Sequence, residues 1–416
     1  MKHLTSLIGA ALVLAVTASG ARAEGFGITE WSARGMALAG GMVARADDAS
    51  AVAYNPAGIT QLPGTTLMFG SALSLPSGSI ETRDSIRGTV DTDAKKDYWI
   101  LPHFYATHQM TDSLWLGVGV FPRFGLGNGF PGNWPGSAGM TDVVVHTITV
   151  NPNIAWKIND HVSVAAGIEF SGGDMTLKQH YNIPTQNLNN RSKLKGMGGA
   201  LGANLALHVR FNDQWSAGLA YRSRMALNIH GTARWDKQLG LVNPHLPPML
   251  NSDLHGTMSL PDTISLGVAW KPRPNLSFEA DVVCNTWSNY RHLDIYLENP
   301  TNQVLIQPKH WRDTWAFSGS VEYKPLDWLA LRAGYTYETS PMNHANADYL
   351  VPSNGRQYFT LGTGFFWNQW TLDIGYTFIK VRDLSYDQAA NGLTVLPGRS
   401  HNVRAHNVGV SLGYTF

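Results

Sequence analysis

The chain has 416 residues, a formal net charge of +1 at pH 7 and a single cysteine, Cys284. The near-neutral charge gives no sign of a nucleic-acid partner, and one cysteine excludes an intramolecular disulfide and a cysteine-rich metal cluster. Only 15% of the residues are charged, whereas 42 are glycine, 14 tryptophan, 15 tyrosine and 15 phenylalanine. In an exported protein, this composition is typical of an outer-membrane β-barrel with aromatic girdles.

The N-terminus predicts export. Lys2 and His3 precede an apolar run that extends from Leu4 to Val16, and small residues then lead to Ala21-Arg22-Ala23. A short basic start, a short apolar stretch and an A-x-A pattern are typical of a secretory signal peptide. The run is too short for a membrane-spanning helix. We therefore expect residues 1–23 to be removed.

Strict alternation of apolar and polar residues appears at the C-terminus. The apolar set comprises Val408, Val410, Leu412, Tyr414 and Phe416. The intervening set comprises Asn407, Gly409, Ser411, Gly413 and Thr415. Period-2 alternation predicts a strand with two different faces. Because aromatic residues lie near the ends of such apolar faces, as in an interfacial belt, we expect a transmembrane strand that ends at Phe416.

The same pattern predicts fourteen strands. Their approximate spans are 65–75, 98–108, 114–124, 141–158, 162–180, 193–211, 215–234, 254–272, 275–297, 311–324, 328–339, 356–368, 370–382 and 401–416. Six short turns, such as Asn159-Asp160 and Asn368-Gln369, alternate with seven longer loops. Short periplasmic turns and long extracellular loops are the rule for outer-membrane barrels. We therefore predict an all-β fold in which residues 65–416 form a fourteen-stranded antiparallel transmembrane barrel with both ends periplasmic.

The segment 24–64 does not alternate. It is rich in Gly, Ala and Ser and contains Asp47-Asp48 and Asn55-Pro56. As a periplasmic tail it would leave Trp31, Tyr54 and other apolar residues exposed. We therefore predict that it folds into the barrel lumen as a hatch.

Several motifs resemble the FadL-type outer-membrane transporters of hydrophobic compounds and long-chain fatty acids, a family that includes toluene transporters. The strongest stretch is GFGITEWSARGMALAGGMVARADDASAVAYNPAGIT, which begins at Gly25 and resembles the family's N-terminal hatch. Phe124-Gly125-Leu126 resembles its kinked third strand, and Tyr221-Arg222-Ser223 and Thr286-Trp287-Ser288 recur at family-like places. The resemblance implies a monomer that captures a fatty acid or aromatic hydrocarbon from outside. It also implies an apolar pocket and a sideways exit through a gap in the wall.

Five residues are predicted to form the lateral opening. Gly125 accepts backbone angles that other residues avoid, so it suits a break in the strand as well as the start of a loop. The resemblance favours the break. It also places Asn55, Pro56 and Ala57 in the hatch beside Phe124 and Gly125, although Asn-Pro alone predicts only a turn.

Seven residues are predicted ligand contacts. Phe26 lies in the hatch, and Phe121, Leu126, Phe130 and Trp134 lie in the aromatic-rich segment FPRFGLGNGFPGNW, which suits either a pocket lining or an interfacial girdle. By resemblance, Lys178 and Lys309 fall near the family's basic positions, where a cation would bind a carboxylate. Each of the two positions also suits an ordinary lysine in a solvated loop.

One feature departs from the family. The loop after the fifth strand, about residues 181–195, is shorter than in fatty-acid transporters, where it helps to form the outer capture groove. The departure weakens the expectation of an outer capture site and of long-chain fatty acids as substrate.

Two rival functions remain. A barrel phospholipase would carry a serine two residues after a histidine, but His146 is followed there by Ile148. We therefore predict no enzyme activity and no cofactor. In an open diffusion porin, the charged inward residues would line a water-filled channel. In a plugged barrel, they would pair with one another around the hatch, and we favour this second interpretation. These residues are Glu169, Arg222, Glu279, Asp281, Arg332 and Asp373.

Overall fold

The computed structural model describes residues 25–84, 87–183, 187–239, 249–298, 302–351, 354–386 and 395–416. The predicted signal peptide lies outside these ranges. The described strand segments are β1 Thr65–Asp84, β2 Gly88–Asp93, β3 Trp99–Gln109, β4 Leu114–Phe121, β5 Gly125–Gly129, β6 Asp142–Lys157, β7 Val162–Ile183, β8 Leu188–Arg210, β9 Trp215–Arg222, β10 Met225–Trp235, β11 Ser252–Leu260, β12 Thr263–Arg273, β13 Leu276–Asn285, β14 His292–Glu298, β15 Val304–Pro308, β16 Thr314–Leu326, β17 Leu329–Glu338, β18 Arg356–Trp367, β19 Trp370–Val381, β20 Leu384–Tyr386 and β21 Gly398–Thr415.

These segments form a closed antiparallel barrel of fourteen strands, which confirms the predicted fold. Seven barrel strands consist of two segments each: β2 with β3, β4 with β5, β9 with β10, β11 with β12, β13 with β14, β15 with β16, and β19 with β20. The barrel closes where β1 pairs with β21, from Thr66↔Thr415 to Thr82↔Gly398, with one shift of register between Ser77 and Ser79. Closure pairs the first strand with the last, so neither is left as a free edge in lipid.

The apolar faces of the strands point outward. On β6, Ile148, Val150 and Ile154 are exposed, whereas the alternating Thr149 and Asn151 are buried. In a soluble protein the apolar residues are buried and the polar residues are exposed. The reverse arrangement seen here suits a barrel with lipid outside and polar groups within. Among the described residues, no helix combines the length and apolar character needed to cross a bilayer.

Two segments differ from the predicted spans. β1 continues nine residues beyond the predicted end at residue 75, and its upper part pairs with β2, which the alternation did not reveal. Residues 181–195 belong largely to β7 and β8, which remain paired as far as Ile183↔Leu188. The two strands therefore project beyond the membrane as a ribbon that ends in a short connection.

The hatch packs inside the barrel. It contains α1 (Ala33–Ala37), α2 (Ala51–Tyr54) and a 3₁₀ helix (Pro56–Gln61). Two further 3₁₀ turns lie outside the hatch: Trp287–Asn289 between β13 and β14, and His344–Asn346 between β17 and β18. Ser32 caps α1 by accepting a hydrogen bond from the Gly35 amide at 3.0 Å. Wall glycines allow this close packing, since a Cβ at Gly375 would overlap the Ala33 carbonyl.

Buried ion pairs fix the hatch to the wall. Arg34 pairs with Glu322 at 3.0 Å, and Arg45 pairs with Glu279 at 3.3 Å. Glu322 also binds Arg332, which in turn binds Asp373. Glu169 and Arg222 form another pair. These contacts bear out the expected pairing for Glu169, Arg222, Glu279, Arg332 and Asp373. The sixth inward charge, Asp281, has no ion pair among the described residues and accepts a hydrogen bond from Ser318 at 3.2 Å.

Candidate functional site

The third barrel strand is broken. β4 ends at Phe121 and β5 begins at Gly125, and both pair with β6. Phe121 lies opposite Thr149 and Gly125 lies opposite His146, so three residues on the broken strand face two on β6. The extra residue makes a local bulge that turns the chain away from the barrel wall.

The hatch replaces the missing strand partner at this break. The Ile28 amide donates to the Arg123 carbonyl at 2.9 Å, and the Gly125 amide donates to the Phe26 carbonyl at 2.9 Å. Thr147 completes the pairing, because its hydroxyl donates to the Phe124 carbonyl at 2.6 Å. The backbone groups of the break are therefore satisfied within the protein, as they must be at membrane depth.

A buried charge cluster holds the inward turn. Glu169 binds Arg123, which belongs to the break, and Arg222 on the neighbouring wall. Arg222 also donates to the Val52 carbonyl at 2.8 Å, which caps the end of α2. Since one buried carboxylate joins the break, the wall and the hatch, displacing any one of them would leave a charge unpaired.

A gap in the wall lies beside the break. Residues 99–103 of β3 pair with β1 on one side, and among the described residues they have no strand partner on the other. Below the gap, pairing resumes at Phe104↔Val120. Above it, the Lys95 amide donates to the Gly129 carbonyl at 2.8 Å. The Trp99 indole covers Gly127, where any Cβ would overlap the ring.

A cavity of about 1180 Å³ passes through this gap. Its inner wall includes the buried rings of Phe26, Phe124 and Phe130. Its outer wall includes side chains that are exposed on the lipid-facing surface, among them Ile100, Ile148 and Met197. The cavity thus connects the barrel interior with the lipid side of the wall.

Aromatic rings pack behind Phe26, which lines the inner end of the cavity. The Phe26 ring lies 4.8 Å from Trp287, 5.9 Å from Trp311 and 6.0 Å from Tyr290, measured between ring centroids. All of these contacts are edge-on, the arrangement that aromatic pairs favour. The cluster therefore holds the Phe26 ring in place, and an apolar ligand in the cavity would exchange water for contact with that ring.

A second aromatic group lies above the first. Phe130 stacks on Trp134 with centroids 4.6 Å apart, and Trp134 meets the edge of Tyr349 at 4.8 Å. Burial raises the pKa of Tyr349, so its hydroxyl stays protonated and donates to the Leu396 carbonyl at 3.0 Å. These rings are buried, so the alternative of an interfacial girdle does not hold for Phe130 and Trp134.

The two predicted lysines have different surroundings. Lys309 is buried near the aromatic rings, but its ammonium group pairs with Asp348. Lys178 is exposed on the outer face of β7, so its side chain does not contact the cavity. Neither lysine presents an isolated charge to the cavity.

The remaining predicted residues lie below the break or at its edge. Asn55 donates to the Val43 carbonyl at 2.7 Å and to the Leu207 carbonyl at 3.1 Å, while Pro56 and Ala57 are buried in the same part of the hatch. Phe121 packs 5.4 Å from Trp31, again below the cavity. The backbone of Leu126 lies in β5, and its side chain is outside the described part of the structure.

Sequence reasoning missed three residues that line the cavity. Ile28 lies against Gly125, and Trp99 covers Gly127. Arg356 donates to the Gly25 carbonyl at 2.7 Å at the inner end. Trp99 carried only the signal of an interfacial aromatic, and no local pattern identifies Ile28 or Arg356.

Comparison with known proteins identifies the family. The model of the outer membrane protein transport protein family (OMPP1/FadL/TodX) matches residues 14–416. The chain belongs to this family. The FadL/TodX family consists of outer-membrane transporters of hydrophobic compounds, so the chain is an outer-membrane protein.

Similarity to individual members of the FadL/TodX family is low but extends along the chain. The long-chain fatty acid transport protein of Salmonella typhi is 23% identical over 96% of this chain and 99% of its own length. A Pseudomonas aeruginosa FadL homologue has a TM-score of 0.85 at 19% identity, covering 94% of this chain and all of that one. The Ralstonia pickettii toluene transporter TbuX has a TM-score of 0.71 at 14% identity, with the same coverage. At these identities the structural matches support the fold alone.

Proposed function

We propose that the protein carries hydrophobic small molecules, either long-chain fatty acids or monoaromatic hydrocarbons, passively into the outer membrane. The ligand occupies the aromatic end of the cavity and leaves sideways through the gap beside the broken third strand. The single observation that carries this proposal is the cavity itself, which runs from Phe26 in the hatch to Ile100 and Ile148 on the outer wall.

The energetics favour a sideways exit. An apolar solute gains roughly 0.8 kcal/mol for each methylene that leaves water. A path through the lumen would return it to water in the polar vestibule on the periplasmic side, which is lined by His208, Lys271 and Glu322 among others. A gap that opens on the lipid-facing side delivers the solute to hydrocarbon without that cost.

The charges at the cavity suit both substrate classes. Aromatic hydrocarbons need only the buried rings that line the cavity, such as Phe26, Phe124 and Phe130. A fatty-acid carboxylate in the cavity would lie near Arg356, which lines its inner end. The predicted lysines lie elsewhere: Lys309 is paired with Asp348 and Lys178 faces outward. We therefore keep both fatty acids and toluene, for which the relatives are named, as candidate substrates. We also propose that the protein is a monomer, because one chain closes the barrel.

The two rival functions have less support. A diffusion porin needs an open polar constriction, whereas the inward charges here bind the hatch. For a barrel lipase, His146 would have to act as a catalytic base, but it lies on the exposed outer face with Asp174 at 3.2 Å. We propose that the protein is not an enzyme.

Narrowing the gap tests the proposal. In Gly125→Val, the added methyl groups would contact the Ile28 side chain and reduce the opening. We expect at least a tenfold fall in uptake of radiolabelled laurate or toluene, of which one should be a substrate of the native protein. Gly319→Val is the matched control, since its side chain would enter open space.

Heat-modifiable migration in gels would show that both variants fold. Equal uptake by Gly125→Val and Gly319→Val would contradict the lateral route. Uptake of neither compound by the native protein would contradict the proposed substrate classes.

A further inference from the structure

A row of cations crosses the outer surface of the barrel. Lys178 on β7 is the register partner of Lys193 on β8, which is the partner of Arg234 on β10. All three side chains are exposed. Arg191 and Lys195, two residues to either side of Lys193 on the same face, are exposed as well. We call these five residues the basic patch.

The basic patch lies directly above the lipid-facing band. Going down the outer face of β8 from Lys195, the next outward residues include Met197 and Leu201, each 68% exposed. On β7, Phe170 and Ile168 continue the apolar surface. All five cations lie towards the extracellular ends of their strands, away from the short turns. The patch therefore lies at the depth where the headgroups of the outer leaflet begin.

The charges of the patch are not neutralised by neighbours. Within the described parts of the chain, none of the five side chains has an ion-pair partner, whereas the exposed Lys95 and Arg399 each have one. Of the carboxylates nearest in register, Asp142 binds Lys95 and Asp174 binds His146. Asp253 lies on the next strand, opposite Thr232. Asp236 lies opposite Arg191, where its amide donates to the Arg191 carbonyl at 3.1 Å, but within the described parts of the chain the two side chains do not form an ion pair.

We propose that the basic patch binds the phosphate groups of the glycolipid in the outer leaflet. Several closely spaced cations at a membrane boundary bind anionic headgroups, and Lys and Arg can lay their stems along the apolar band while their charged ends reach the headgroup level. Only β6 separates Lys178 from β5 at the gap, because Asp142 pairs with both Lys178 and Gly129. A bound glycolipid would therefore lie beside the lateral opening.

Neutralising the row tests the proposal. The native protein in nanodiscs would be compared with K178Q/K193Q/R234Q for retention of bisphosphorylated lipid A. Each cation near an anionic surface contributes about fivefold in affinity, so we expect binding on the order of 100-fold weaker in the triple variant. The matched control R210Q/K271Q/R273Q removes three exposed cations at the periplasmic ends of strands and should bind as the native protein does.

Four results would overturn the proposal. They are unchanged binding by the patch variant, equal loss in the control variant, equal native binding of lipid A without its phosphates, and displacement of lipid A by millimolar inorganic phosphate at constant ionic strength. The last would indicate a site for free phosphate. None of these readouts depends on transport, so they leave the proposed function untouched.

Discussion

Glu169 shows how single residues maintain the broken wall. Its carboxylate is fully buried and binds both Arg123 and Arg222. Arg222 then reaches the carbonyl groups of Val52 and Ala53 in the hatch. Removing one member of a buried ionic cluster commonly costs about 3–5 kcal/mol. Loss of Arg123 or Arg222 would therefore leave the buried Glu169 carboxylate without one of its partners at the break.

Trp99 covers part of the gap, and we expect it to limit the size of the opening. Its indole covers Gly127 and lies 5.6 Å from the His146 ring between centroids. We expect Trp99→Ala to widen the opening and to admit bulkier hydrophobic compounds. Competition of a series of alkylbenzenes against the native substrate would measure the size limit, with Trp156→Ala as the control, since Trp156 is exposed at the other end of the wall. An unchanged size limit in Trp99→Ala would contradict a gating role.

At the level of secondary-structure elements, the contact that sets the geometry of the gap joins the hatch to the broken strand. Phe26, Gly27 and Ile28 supply the backbone partners that β3 does not give to residues 123–125. The pairing is short, so the hatch and the break form one local unit. We infer that a ligand near Phe26 and the width of the gap influence one another through this unit.

Ile28→Pro tests that contact. Proline lacks the amide that donates to the Arg123 carbonyl, and a hydrogen bond contributes about 1 kcal/mol. We expect hydrogen exchange of the segment 122–129 to accelerate by roughly fivefold, in line with one lost bond. Ile28→Ala removes a similar side chain but keeps the amide, so it is the control. Identical exchange in the two variants would show that the pairing does not hold the break.

The whole molecule is a barrel filled by its own N-terminal segment. The lumen contains buried carboxylates and guanidinium groups that would attract water if the hatch were absent, such as Glu279, Glu322 and Arg332. In the native protein these groups bind the hatch or one another. We expect this packing to block the flow of ions through the lumen.

Deleting residues 25–60 should convert the plugged barrel into a pore. The exposed lumen charges would line a water-filled channel, so we expect a large and steady conductance in planar bilayers where the native protein gives almost none. The deletion variant must still show heat-modifiable migration. A folded variant without added conductance would contradict the plug.

Sequence alone predicts the barrel well and its interior less well. Alternation predicted the strands because lipid and lumen impose opposite polarity on neighbouring residues. It did not predict upper β1 and β2, because this part of the barrel lies beyond the membrane and neither of its faces contacts lipid. The opening depended on the family resemblance, since Gly125 alone suits a loop. Lys178 shows the limit of the family resemblance. A shift of one residue moves a side chain to the opposite face of a strand, and an approximate match to the family does not fix the position to one residue.

Photolabelling with a diazirine-bearing analogue of the substrate tests the lateral route most directly. Labelled protein in membranes would be digested and the modified residues located by mass spectrometry. The account predicts labels at Phe26 and Phe130 and on the outward residues Ile100 and Ile148 beside the gap. Labels at Phe26 together with the periplasmic vestibule at His208 and Lys271, and none at Ile100 or Ile148, would contradict it.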